Sequence, residues 1–178
     1  MQITGKIEIA GKELIVKHIE NITEALDSIM RLDERAYRTH VGKQWYLDRY
    51  TNNFDGVGVY TDDGKGCHTL VGYCCICGIK SEFRDAMVNG VLDGDWSVSA
   101  EMFSDLESRF LYIPSIVVAL EYRNKGIGQY MMDWIINRHC AWSKNYVLAM
   151  CNVKSAHLMS KRGAQMLHYT GEYQVAVL

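Results

Sequence analysis

The sequence predicts a single mixed α/β domain, and three observations predict it. Short stretches that alternate apolar and polar residues, as half-buried strands do, recur from residue 2 to the tail. Between them lie segments whose apolar residues fall on one helical face. One run, Leu111 to Leu120, is almost wholly apolar and is followed by a glycine-rich turn that opens a helix. Interleaved strands and helices around one core read as a mixed α/β fold, and 178 residues suit one core.

In chain order, residues 2–9 and 12–19 read as two strands around Ala10-Gly11, with Ile7, Ile9, Leu14 and Val16 alternating against polar neighbours. Asn21-x-x-Glu24 resembles a capping box with Asn in place of Ser or Thr. Behind it Ile22, Ala25, Leu26, Ile29 and Met30 share a helical face. Residues 43–52, with Trp45, Tyr46 and Tyr50, read as a second helix. Gly56 to Thr61 is a strand, Asp62-Asp63-Gly64 a turn, and 67–79 the antiparallel partner. The stretch 81–109 reads as a helical insertion. Phe83, Met87, Val88 and Val91 mark one short helix and Met102, Phe103 and Leu106 another, with Asp93-Gly94-Asp95 between them.

Leu111 to Leu120 is the next strand. It holds Pro114, the chain's one proline, which cannot donate to a ladder and so predicts a bulge or an unpaired edge. A helix follows over about 126–142, with Ile127, Tyr130, Met131, Trp134 and Ile135 on one side; Trp134 and Trp142 read as core. Tyr146 to Met150 is a buried strand, 154–161 a short helix closed by Gly163, and the tail holds two strands around Thr170-Gly171.

Composition narrows the function classes. Apolar residues make up 48% of the chain and charged residues 22%, and the net charge is −2. That offers no electrostatic footprint for nucleic acid or an anionic membrane. No stretch approaches the ~18 apolar residues of a membrane span, and the first ten residues lack a signal peptide's apolar core. A cytoplasmic location is expected, with its six cysteines as reduced thiols. Cys74-x-x-Cys77 has the spacing of half a zinc site, with His68 nearby, but no second pair follows. Cys74, Cys75 and Cys77 read instead as small hydrophobes in a buried strand, and no metal is expected.

The segment that carries chemistry is Arg123-Asn124-Lys125-Gly126-Ile127-Gly128. A glycine-rich turn at a helix N-terminus exposes unpaired N–H groups and the positive end of the helix dipole, which suits phosphate. Neither a Walker A loop nor a Rossmann fingerprint is present.

Arg123, Gly126 and Gly128 match the signature Arg/Gln-x-x-Gly-x-Gly/Ala of the GNAT acetyltransferase superfamily, which the chain resembles. The preceding Ile116-Val117-Val118 and Glu121-Tyr122 fit the same pattern, and Asn152 through Gly163 resembles the family's second block. The resemblance implies a mostly antiparallel central sheet flanked by helices, and acetyl-CoA as cosubstrate. It implies that the backbone of Lys125, Gly126, Ile127, Gly128 and Gln129 holds the pyrophosphate, beside Arg123 and Asn124. It further implies that Val118 pairs with the pantetheine arm, that Asn152 sits beside it, and that an N–H at Ile116 or Val117 polarises the thioester carbonyl. The strands at 111–120 and 145–151 then splay apart to admit the cofactor.

Where many relatives carry a tyrosine that protonates the departing thiolate, this chain has Met159. Ser160, Cys151, Tyr169 or a water is then the proton source, or the thiolate leaves unassisted, since a thiol pKa near ~8.5 makes it a good leaving group. The reaction implied is transfer of acetyl to a primary amine by direct attack in a ternary complex. The competing readings are a catalytically inactive acyl-CoA sensor, favoured by Met159, and a covalent enzyme using Cys151. The acceptor is a small molecule or a protein amine, and a homodimer is compatible with the resemblance. Among the acidic residues of 81–109 (Glu82, Asp85, Asp93, Asp95, Glu101, Asp105, Glu107), a solvated face is the main expectation and a cationic-acceptor site the alternative. Tyr112 and Ser115 are candidates to line the cleft, and His157 reads as a surface histidine.

Overall fold

A computed structural model describes residues 3–38, 41–50, 53–92, 98–140, 146–170 and 172–178. The strands are β1 (Ile3–Ile9), β2 (Lys12–Ile19), β3 (Phe54–Asp62), β4 (His68–Ile79) and the two-residue β5 (Phe103–Ser104). They continue with β6 (Phe110–Val118), β7 (Tyr146–Cys151), β8 (Gln165–Thr170) and β9 (Tyr173–Val177). The helices are α1 (Leu26–Tyr37), α2 (Lys43–Tyr50), α3 (Ser81–Val88), α4 (Ile127–Cys140) and α5 (Val153–Ser160). One sheet runs β1-β2-β3-β4-β6-β7-β9-β8, with β5 on β4. Among the described residues only β6 and β7 pair in parallel.

Two sequence expectations are corrected. Asn21 accepts from its near neighbour Thr23, through N at 2.9 Å and Oγ1 at 2.8 Å, and so caps a 3-10 turn over Ile22–Glu24. The α-helix starts only at Leu26, so Asn21 caps this 3-10 turn rather than α1 itself. The second helix expected around Met102–Leu106 is a 3-10 turn, Ala100–Met102, followed by β5. The edge of β4 captures this segment through Gly78↔Ser104 and Ile79↔Phe103. Backbone pairing there needs close approach, and Gly78 permits it: a Cβ would lie 1.6 Å from the Asp105 carbonyl oxygen. Trp142 and Asp93-Gly94-Asp95 fall outside the described residues.

The sheet sorts its helices by side-chain parity. A Cβ at Gly72 of β4 would meet Ile127 and Met131, so α4 covers that face. The next residue, Tyr73, points the other way and donates to Asp33 of α1. α5 lies with α4, because Arg162, just past its end, donates to the Gln129 carbonyl at 2.9 Å and to Asp133. Cys74, Cys75 and Cys77 are buried in β4, and desolvation pushes all three thiols up, Cys74 to about 12. They are core hydrophobes, as expected.

At the far end of α4 a buried carboxylate ties the helix to the sheet. Asp55 of β3 is 4% exposed and accepts from His18 of β2, from His139 Nε2 at 2.7 Å, from Arg138 Nε at 2.9 Å and from the Gly56 N–H at 2.9 Å. Burial alone would raise its pKa; the bonds from His139, His18 and Arg138 win and hold it at about 2. β2, β3 and α4 are thereby tied together at the C-terminal end of α4.

Candidate active site

The parallel pairing of β6 with β7 stops early. It runs from Phe110↔Tyr146 to Ile113↔Ala149, while β6 continues beside β4 as far as Val118. The divergence follows from Pro114. On the β4 side the register jumps between Cys75↔Ser115 and Cys77↔Tyr112, so Ile113 and Pro114 oppose Ile76 alone, a bulge that bends the strand. Past the bulge the sheet opens into a cleft of about 240 Å³. Pro114, Ser115 and Ile116 line one wall, and Met150, Cys151 and Asn152 the other.

The ladder fixes which amides face the gap. Ala119 N–H donates to the Val71 carbonyl at 2.8 Å. Antiparallel pairs alternate, so Val117 and Ser115 also turn their backbone groups to β4, and Ile116 and Val118 turn theirs toward the gap. Arg123 Nε reaches the outward Val118 carbonyl at 3.0 Å. Of the two amides considered for carbonyl polarisation, Ile116 alone points into the opening.

At the end of β6 the glycine-rich turn enters α4. Asn124 has φ +60° and Gly126 φ +89°, both left-handed; a Cβ on Gly126 would meet nothing within 4 Å. Lys125 Nζ donates to the Glu121 carbonyl at 2.9 Å, so Arg123 and Lys125 brace the turn as well as charging it. Tyr130 N–H bonds the Gly126 carbonyl at 2.9 Å, which makes Ile127 the first helical residue. The N–H groups of Ile127, Gly128 and Gln129 have no partner within the helix and carry its positive end. Ile127's side chain is buried under β4, so this residue offers only backbone outward.

On the opposite face, α1 and α2 contribute Asp33, Tyr37, Trp45 and Tyr46 to the cleft. Asp33 is 8% exposed. It accepts from Tyr46 at 2.7 Å and from Tyr73 at 2.8 Å. Desolvation outweighs those two bonds and pushes its carboxyl up to about 6. No cationic side chain among the described residues pairs with it.

The remaining expected residues scatter. Cys151 lines the cleft, but burial raises its thiol to about 11, well away from a reactive thiolate. Asn152 lines it too, and its Oδ1 accepts the Ser155 N–H at 3.1 Å, capping α5. Met159 is fully buried in the cleft wall. Ser160 is exposed and outside the cleft, Tyr169 is 69% exposed, and His157 is exposed. Ser115 faces the opening, whereas Tyr112 packs on Phe83 with ring centroids 5.6 Å apart. Glu82, Asp85, Glu101, Asp105 and Glu107 are exposed, the solvated face expected. Sequence reasoning missed Asp33, Tyr37 and Tyr173, the last reaching the cleft from β9. No local pattern marks any of them.

A sheet opened between two parallel strands, with a glycine-rich helix start on one face and a buried carboxylate on the other, defines a two-sided cleft. The family model of the acetyltransferase (GNAT) family matches residues 23–164, and the chain belongs to that family. Solved structures agree on the fold. The ribosomal-protein-S18-alanine N-acetyltransferase from Escherichia coli aligns with TM-score 0.60 and 10% identity over 92% of this chain and 90% of its own. Arabidopsis thaliana NAA60 in complex with acetyl-CoA gives 0.60 and 12% over 92% and 96%. PaiA N-acetyltransferase from Thermoplasma acidophilum in complex with coenzyme A gives 0.56 and 10% over 91% and 97%. Among curated proteins, none matches the sequence.

Proposed function

We propose that this protein transfers the acetyl group of acetyl-CoA to a primary amine by direct attack within a ternary complex. The observation that carries the proposal is the opening between β6 and β7: the glycine-rich start of α4 packs beside it, where a Cβ on Gly128 would lie 3.9 Å from Ile116, and Asp33 lines it from the α1 face. Two of the structurally similar proteins hold acetyl-CoA or coenzyme A, which supports the same ligand here.

In this reading the N–H groups of residues 125–129 bind the pyrophosphate. The Val118 N–H, turned to the gap, pairs with the pantetheine arm as an added strand would. The Ile116 N–H donates to the thioester oxygen and stabilises the negative charge that develops there. Val117, whose amide belongs to the β4 ladder and whose side chain is buried, takes no part in the chemistry in this reading. Asn152 positions the start of α5 beside the arm. Holding both reactants in one cleft supplies most of the acceleration.

The thiolate leaves without Cys151, whose thiol is a weaker acid than a free thiol near ~8.5. Ser160 lies outside the cleft. Tyr173, which lines the cleft from β9, is one hydroxyl-bearing candidate for the proton, and water is the other source. The fully buried Met159 supports a second reading, an acyl-CoA sensor without turnover.

Thiol release from acetyl-CoA across a panel of primary amines separates the two. Amine-dependent release in the range of ~1–10³ per second, with no burst of acyl-enzyme, is expected for the transferase. Acetyl-CoA binding with no release on any amine would establish the sensor instead.

A further inference from the structure

We propose that Asp33, with Tyr37, Trp45 and Tyr46 around it, seats the ammonium group of the acceptor, and that the acceptor is a compact cationic amine. This rests on the acetyltransferase reading and names its second substrate class.

Asp33 is the buried carboxylate of the cleft wall, and both of its oxygens are held by tyrosine hydroxyls. Two hydroxyl donors orient a carboxylate without neutralising it. A buried carboxylate without a countercharge is costly, and a fold keeps one where a ligand brings the opposite charge. The aromatic rings on the same wall offer negative faces to an ammonium group. Arg49 stacks 4.2 Å from the centre of the Trp45 ring and takes that ring face, so the faces of Tyr37 and Tyr46 are the ones left for a ligand cation. Tyr37, 48% exposed, stands at the mouth.

The charge distribution sorts the two substrates. The anion-binding turn lies on the α4 face; Asp33 lies on the opposite face, across the gap. An anionic coenzyme and a cationic acceptor therefore enter from opposite sides and meet at Ser115 and Ile116. The cleft, at about 240 Å³, is smaller than the ~300–1,000 Å³ of pockets that take drug-sized ligands, so the acceptor end it admits is compact.

The proton count closes. The ammonium gives one proton to the Asp33 carboxylate and becomes a free amine. The nitrogen lone pair attacks the acetyl carbon, the N–C bond forms and the C–S bond breaks. The nitrogen's second proton ends on the departing sulfur, giving amide and free thiol, and Asp33 returns its proton to water. The groups facing Asp33 from the elements around it are Tyr37 of α1, Tyr46 of α2, and Tyr73 and Cys75 of β4. With burial pushing the tyrosines Tyr46 and Tyr73 and the Cys75 thiol upward, the carboxyl is the group of this set that titrates near neutrality.

The test uses two probes of one shape, choline and its neutral isostere 3,3-dimethylbutan-1-ol, titrated into the coenzyme A-saturated protein at pH 5 and pH 7.5. Choline has no proton to lose, so any pH dependence belongs to the protein. Choline is expected to bind at least about tenfold more tightly than the alcohol at pH 7.5. Its affinity should fall about tenfold at pH 5, where a carboxyl near 6 is mostly neutral. Asp33→Asn should keep its response to acetyl-CoA and lose both differences. Equal binding of the two probes, binding of neither, a flat pH response, or undiminished choline affinity in Asp33→Asn would each overturn the assignment. Should Asp33→Asn not fold, the wild-type pH series and Tyr37→Ala, expected to weaken choline several-fold, decide it. Absence of any acetyl-CoA response in the wild type would overturn the parent reading instead.

Discussion

Asp55→Asn is expected to destabilise the protein by about 2–4 kcal/mol at pH 7. Breaking one partner out of a buried ionic cluster costs roughly 3–5 kcal/mol, and the half-exposed Arg138 warrants a discount for solvent screening. What remains behind is worse than a lost bond. His18 and His139, with side chains 8% and 14% exposed, would face an amide that cannot satisfy both ring nitrogens as acceptor. The pH dependence has a definite sign. A carboxyl held at about 2, below its ordinary 3.8, contributes stability that is present above about pH 4 and is lost as pH falls through about 2. Urea midpoints at pH 7 and pH 3 check this: wild type and variant should differ widely at pH 7 and converge toward pH 2. A variant as stable as wild type at pH 7 would show that the cluster does not hold α4 to the sheet.

The same substitution at Asp33 should act in the opposite direction. Asp33's carboxyl is pushed up to about 6, so the folded state favours its neutral form. Below about pH 4 the group is protonated, folded or unfolded, and costs nothing. As pH rises through 6 the folded protein must ionise it at a penalty. A shift of about two pKa units corresponds to roughly 3 kcal/mol, fully developed by pH 7.5. An amide keeps acceptor and donor sites for Tyr46 and Tyr73 and removes the charge. Asp33→Asn is therefore expected to raise stability by about 1–3 kcal/mol at pH 7.5, or a few degrees in melting temperature, with the gain vanishing at pH 4. A loss at pH 7.5 would mean that the tyrosine bonds outweigh burial, and that the carboxylate is structural. Stability given up at a ligand site is the trade expected of a functional charge.

These two aspartates also show where sequence legibility ends. The turn at Arg123–Gly128 was readable because its chemistry is local: glycines, a helix start and flanking cations lie within six positions. Pro114 was readable for the same reason, since a missing N–H in an apolar strand has few outcomes, and the bulge between Cys75 and Cys77 is one of them. Asp33 carries no such mark. It is one of 21 acidic residues, and its role comes from Tyr46 and Tyr73, the latter 40 positions away. Asp55, His18 and His139 likewise meet only in the fold, across 37 and 84 positions. The segment around Phe103 was misread because its apolar spacing suits a short helix, whereas the open edge of β4 beside Gly78 draws it into the sheet. Tyr173 was missed because its strand had to be laid beside β7 before it faced the cleft.

Thermal shift with wild type and Gly126→Glu tests most directly whether the turn at residues 123–129 binds acetyl-CoA. A glutamate there adds bulk and negative charge where the pyrophosphate would lie; its Cβ meets no neighbour, although φ +89° adds strain that circular dichroism must show to be tolerated. Millimolar acetyl-CoA should raise the wild-type melting temperature by several degrees, since a ligand at a hundred times its Kd contributes about 2.7 kcal/mol. The folded variant should not respond. No shift in the wild type, or an equal shift in Gly126→Glu, would contradict the account.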